Sequence, residues 1–61
     1  MKYSELERKL KKIGCYCTGK DVKGHPEWYS PLTNNLFYTS HHKNQEVATG
    51  TLYYIKKLAG L

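Results

Sequence analysis

Apolar side chains fall at helical spacing near both ends of the chain and at alternating spacing between them. Leu6, Leu10 and Ile13 recur every three or four residues, with Tyr3 close to the same stripe, which predicts an amphipathic first helix. Ser4-Glu5-Leu6-Glu7 has the form of a capping box at its start, and Gly14 supplies a stop. Leu52, Ile55, Leu58 and Ala59 mark a second helix, capped by Thr49 or Thr51 and ended by Gly60. Between the helices, three short runs rich in strand-favouring residues predict strands from Cys15 to Thr18, from His25 or Pro26 to Ser30, and from Leu36 to Ser40. Gly19 to Gly24 and Pro31 to Asn35 read as polar turns, and His41 to Ala48 as a loop. Alternation sends Trp28 to one face of its strand and His25, Glu27 and Tyr29 to the other. A three-stranded antiparallel meander with both helices on one face buries every apolar stripe at once, so the expected fold is α+β in the order α-β-β-β-α.

With 61 residues there is room for one domain, residues 1–61, and only a thin core. A chain this small gains from any partner that binds its folded form. The formal net charge of +5 favours polyanionic partners without conferring sequence specificity. Six tyrosines beside those lysines shift the expectation toward RNA, whose unpaired bases stack on aromatic rings. No apolar run approaches the roughly 20 residues needed to cross a bilayer, and no signal-peptide pattern opens the chain, so no membrane association and a cytoplasmic location are expected. Cys15 and Cys17 are too close in sequence for an unstrained disulfide between strand residues, which suits a reducing compartment.

The chemistry centres on Gly24-His25-Pro26-Glu27-Trp28-Tyr29. An imidazole exchanges protons near neutral pH without outside help, and Pro26 keeps His25 in extended geometry at an edge or a strand start. RNA carries its own nucleophile, the ribose 2′-OH, so one base and nearby cations suffice to start backbone cleavage without a metal or other cofactor. Lys20 and Lys23 are the adjacent cations, and Gly24 permits close approach to a phosphate backbone. Tyr29 and Tyr16 are candidates for stacking, and Lys9, Lys11, Lys12, Lys56 and Lys57 for phosphate contact. Each of these has a blander reading as solvated surface, and His25 as a histidine that closes a turn. Cys15, Cys17, His41 and His42 form a possible zinc set, but a single residue between the paired cysteines is below the usual ligand spacing.

The chain resembles the HicA family of toxins from bacterial toxin–antitoxin systems over nearly its whole length. The resemblance is carried by the capped basic helix from Ser4 to Gly14, by Gly24-His25-Pro26-Glu27-Trp28-Tyr29-Ser30-Pro31, by the strand from Phe37 to His41, and by Gly50-Thr51-Leu52-Tyr53-Tyr54-Ile55-Lys56-Lys57-Leu58-Ala59-Gly60. It departs where Gly24 directly precedes His25, in place of the Gly-Ser-His frequent in the family, and where Ser40 and not a proline precedes His41. The resemblance implies a double-stranded-RNA-binding-like fold, ribosome-independent cleavage of messenger RNA in a stress-response toxin, His25 as the catalytic residue, and neutralisation by a HicB-like antitoxin. The alternative on the same fold is a binding module without chemistry, which docks on RNA or on an acidic protein. The two part at His25, whose loss a binder tolerates and a nuclease does not.

Overall fold

A computed structural model describes residues 1–61. Helix α1 spans Tyr3–Lys12 and buries Tyr3, Leu6, Glu7 and Leu10, the face that its apolar spacing marks out. No capping box forms. Lys2 occupies the N-cap position without a side-chain cap, and the free amides of the first turn are taken by main-chain carbonyls of the later loop. Tyr3 donates to Gln45 at 3.1 Å and Ser4 to Lys43 at 3.0 Å. The orphan donors of a helix start need partners of some kind, and tertiary contacts here replace local ones.

The sheet is antiparallel in the order β1-β2-β3, with β1 at Tyr16–Val22, β2 at His25–Ser30 and β3 at Asn35–Tyr38. Strand β1 is longer than its sequence predicts, because Gly19 to Val22 continue as strand. Between the pairs Cys17–Trp28 and Asp21–Pro26, β1 advances by four positions (21 − 17) while β2 advances by two (28 − 26), so β1 carries a bulge of two extra residues. The polar turn expected over Gly19 to Gly24 shrinks to Lys23-Gly24, a two-residue hairpin with φ of 53° and 83°. Both values are positive, as a turn matched to the twist of its flanking strands requires.

Helix α2 spans Thr49–Ala59, and its N-cap is Ala48, not a threonine. Gly60 closes it in the left-handed conformation at φ 82°, its amide donating to the Lys56 carbonyl. Both helices pack on the Trp28 and Phe37 face of the sheet, where Leu6, Leu10, Ile55 and Ala59 join the two rings in one core. Trp28 and Phe37 lie nearly parallel, with centroids 6.3 Å apart. Ser30 and Thr33 fasten the C-terminal end of α2 to the turn after β2. The Ser30 hydroxyl donates to the Ala59 carbonyl at 2.7 Å, and the Thr33 hydroxyl donates to that of Leu58. The opposite face of the sheet has no helix on it and presents Tyr16, Thr18, His25, Glu27, Tyr29, Leu36 and Tyr38.

Candidate active site

His25 opens β2 immediately after the Lys23-Gly24 turn, paired in register with Val22, and its side chain is exposed. One ring atom is held: Nδ1 lies 3.1 Å from the main-chain carbonyl oxygen of Thr39. A carbonyl only accepts, so Nδ1 carries the proton in this contact and the lone pair of the neutral ring sits on Nε2. The Thr39 amide in turn donates to the Pro26 carbonyl at 3.1 Å, which extends the β2–β3 pairing one residue beyond β3 and fixes the anchor. The Thr39 side chain takes no part. It is buried, and its hydroxyl has no hydrogen-bond partner.

Two residues along the same face, Glu27 is only 7% exposed although no helix covers it. Its carboxylate accepts from the Thr18 hydroxyl at 2.8 Å and from the Tyr38 hydroxyl at 3.3 Å. Burial, together with the Glu27 charge and hydrogen bond, raises the Tyr38 phenol above its usual 10.0. Sequence alternation gives Glu27 its face but not its enclosure, which comes from neighbours on β1 and β3.

The cations singled out in sequence lie in separate places. Lys20 and Lys23 share the β1–β2 hairpin with Gly24 and His25, Lys20 within the bulge and Lys23 in the turn. Lys11 lies on a different flank, lining a groove between α1 and the sheet. Lys12 faces solvent beside Glu5, Arg8 and Lys9. Lys56 and Lys57 belong to the end of α2 that Ser30 and Asn35 bind, opposite the end of β2 that holds His25. Tyr29 shares the uncovered face with His25 but sits four residues along the strand, about 13 Å away at the usual rise. It pairs with Tyr16 at a centroid distance of 5.7 Å.

His41 is brought to the hairpin by a contact the sequence does not announce, its Nε2 lying 3.1 Å from Asp21 Oδ2. The four zinc candidates do not converge. Cys15 is buried in the core, Cys17 is exposed, and no group of three or more His, Cys, Asp or Glu side chains is arranged to hold an ion. No helix is long and apolar enough to cross a membrane.

The α-β-β-β-α order, with both helices on one face of a three-stranded antiparallel sheet and an exposed histidine on the other, defines a small α+β domain. A family model described as "HicA toxin of bacterial toxin-antitoxin" matches residues 3–61, and the chain belongs to that family. A toxin of this kind has an antitoxin as its partner. No curated protein and no solved structure matches the chain significantly.

Proposed function

We propose that this toxin is a ribosome-independent endoribonuclease that cleaves messenger RNA, with His25 as its acid/base residue and a HicB-like antitoxin as its neutralising partner. The observation that carries the reading is the exposed imidazole whose Nδ1–H is committed to the Thr39 carbonyl. That bond leaves Nε2 to accept the proton of a ribose 2′-OH. The 2′ oxygen then attacks the adjacent phosphorus, the bond from phosphorus to the 5′ oxygen breaks, and the imidazolium returns its proton to the departing oxygen. The products are a 2′,3′-cyclic phosphate and a 5′-hydroxyl.

The Nδ1–H bond to a carbonyl persists in both protonation states, so the ring needs no reorientation between its two roles. Lys23 and Lys20, on the same hairpin, supply positive charge for the oxygens that become more negative as phosphorus is attacked. Acid–base assistance of this kind accelerates a reaction by roughly 10²–10⁴-fold, which makes the enzyme slow. A slow nuclease suffices when growth arrest is the outcome and messenger RNA in the cytoplasm is the target.

Induced expression of the wild type and of His25→Ala tests the reading. Growth arrest with decay of messenger RNA is expected for the wild type and neither for the variant, with equal circular dichroism spectra for the two purified chains. Arrest and RNA decay by a folded His25→Ala chain would remove the imidazole from the mechanism, and the same folded chain binding RNA without ever cleaving it would favour the binding module.

A further inference from the structure

On the helix side of the sheet, one residue along β2 from His25, lies a groove of about 240 Å³ between α1 and the β1 edge. Its sheet side is lined by Cys17, Pro26 and Trp28, and the rest of its lining is Glu7, Lys11, His41 and Lys43. The size is below the roughly 300–1,000 Å³ typical of pockets for drug-sized ligands, and suits a single ring system better than a whole nucleotide or a folded segment.

Charge decides what fits. Lys43 Nζ is already 3.1 Å from Glu7 Oε1, and His41 is bonded to Asp21, so Lys11 is the one lining lysine without an anionic partner. A phosphate entering here would meet the Glu7 carboxylate in the lining and, beside His41, that of Asp21. A neutral, flat ring with donors and acceptors on its edge meets the sheet side of the groove at Cys17 and Pro26, ammonium donors, an imidazole, and a carboxylate acceptor. Unpaired RNA bases have this chemistry. We propose that the groove is a nucleobase subsite, taking an unpaired base of the RNA whose backbone is presented to His25. The proposal rests on the nuclease reading and adds to it the feature by which the toxin engages single-stranded RNA. Phosphate recognition then belongs to the hairpin lysines, Lys20 and Lys23, which are not among the residues that line the groove.

Trp28 is the only tryptophan in the chain and Cys17 the only exposed cysteine, so the groove carries its own two reporters. The experiment uses the full-length His25→Ala chain, which is expected to bind RNA without cutting it. A short single-stranded oligoribonucleotide, the same backbone without bases, and inorganic phosphate are each titrated while Trp28 fluorescence and iodoacetamide labelling of Cys17 are followed. The base-bearing strand is expected to change the fluorescence and to slow Cys17 labelling, the other two to do neither. Cys17→Ile, which fills the groove from an exposed strand position and keeps a strand-favouring residue there, is expected to weaken binding by about 10-fold or more.

Equal responses to the abasic strand or to phosphate would overturn the proposal, as would wild-type affinity in a folded Cys17→Ile chain. Protection of Cys17 by the antitoxin and by no oligoribonucleotide would assign the groove to a protein segment and overturn it as well. The two readings fail separately. Wild-type cleavage with a silent Trp28 sinks the subsite alone, whereas a base-dependent Trp28 signal from a chain that never cleaves RNA sinks the nuclease and leaves the subsite standing.

Discussion

Replacing Thr39 by valine is expected to make the protein more stable and to leave the orientation of His25 unchanged. The Thr39 side chain is 3% exposed and its hydroxyl has no partner, whereas its carbonyl anchors the imidazole. A buried hydroxyl without a hydrogen bond costs about 1–3 kcal/mol, and valine substitutes a methyl of nearly the same shape. Allowing for partial relaxation around the hydroxyl, the expected gain is about 1 kcal/mol. For a domain of 61 residues, whose whole stability is about 3–9 kcal/mol, that is a large fraction. It corresponds to a rise in Tm of about 4–8 °C.

Urea denaturation followed by Trp28 fluorescence measures the stability change. Nitrogen-15 NMR of the histidine rings reports which nitrogen of His25 carries the proton. The expected result is a higher urea midpoint at constant slope with Nδ1 still protonated, because the acceptor is main chain. A destabilised Thr39→Val chain would show that the hydroxyl has a partner, and a proton moved to Nε2 would show that the side chain, not the carbonyl, sets the ring.

Three further outcomes follow from the geometry. Gly60→Ala is expected to destabilise by about 2 kcal/mol, since a left-handed residue with a side chain costs about 1–2 kcal/mol by itself. Its Cβ would also come within 2.9 Å of Thr33 Cγ2 and 3.0 Å of Leu32 Cδ2, so a melt at wild-type temperature would refute the tight closure of α2. Lys23→Asn is expected to raise stability by about 0.5–1 kcal/mol, because asparagine tolerates the positive φ of the turn, while lowering RNA cleavage through the lost ammonium. Cleavage at the wild-type rate would acquit Lys23. Glu27→Gln is expected to bring the Tyr38 phenol down toward its ordinary value, read from carbon-13-labelled tyrosine during an alkaline titration. The folded-state value is raised, so the Tyr38 contribution to stability is complete below about pH 10 and is lost as pH climbs through the folded value. An unmoved Tyr38 titration would remove Glu27 from the causes and leave the rise to burial and the nearby Tyr54.

The fold was largely readable because its apolar residues are periodic. Leu6 and Leu10, Ile55 and Ala59, and the opposite placement of Trp28 and Glu27 follow from spacing alone, and together they require two helices on one face of a meander. What escaped the sequence depends on partners far along the chain. Ser4 and Glu7 have the letters of a capping box, but the Ser4 amide is taken by the Lys43 carbonyl and Glu7 folds inward to meet Lys43 Nζ. Gly19, Lys20 and Asp21 look like a turn because β1 is an exposed edge with no apolar alternation, and only pairing with β2 makes them strand.

The candidate site divides in the same way. The chemistry of His25 and the cations of its hairpin are visible as residue types. The carbonyl that orients the ring lies 14 residues away, and main-chain acceptors leave no mark on side-chain identity. The groove is less visible still, since its lining comes from α1, two strands and the loop after β3.

The most direct test of the proposed mechanism is cleavage of a single-stranded oligoribonucleotide by the purified chain in the presence of a chelator, alongside the same strand with 2′-deoxyribose throughout. Wild type is expected to leave 2′,3′-cyclic phosphate ends on the ribose strand and to spare the deoxy strand, and His25→Ala to be slower by about 10²–10⁴-fold. Wild-type rates from the alanine variant, or cutting of the deoxy strand, would contradict an imidazole that takes its proton from the ribose.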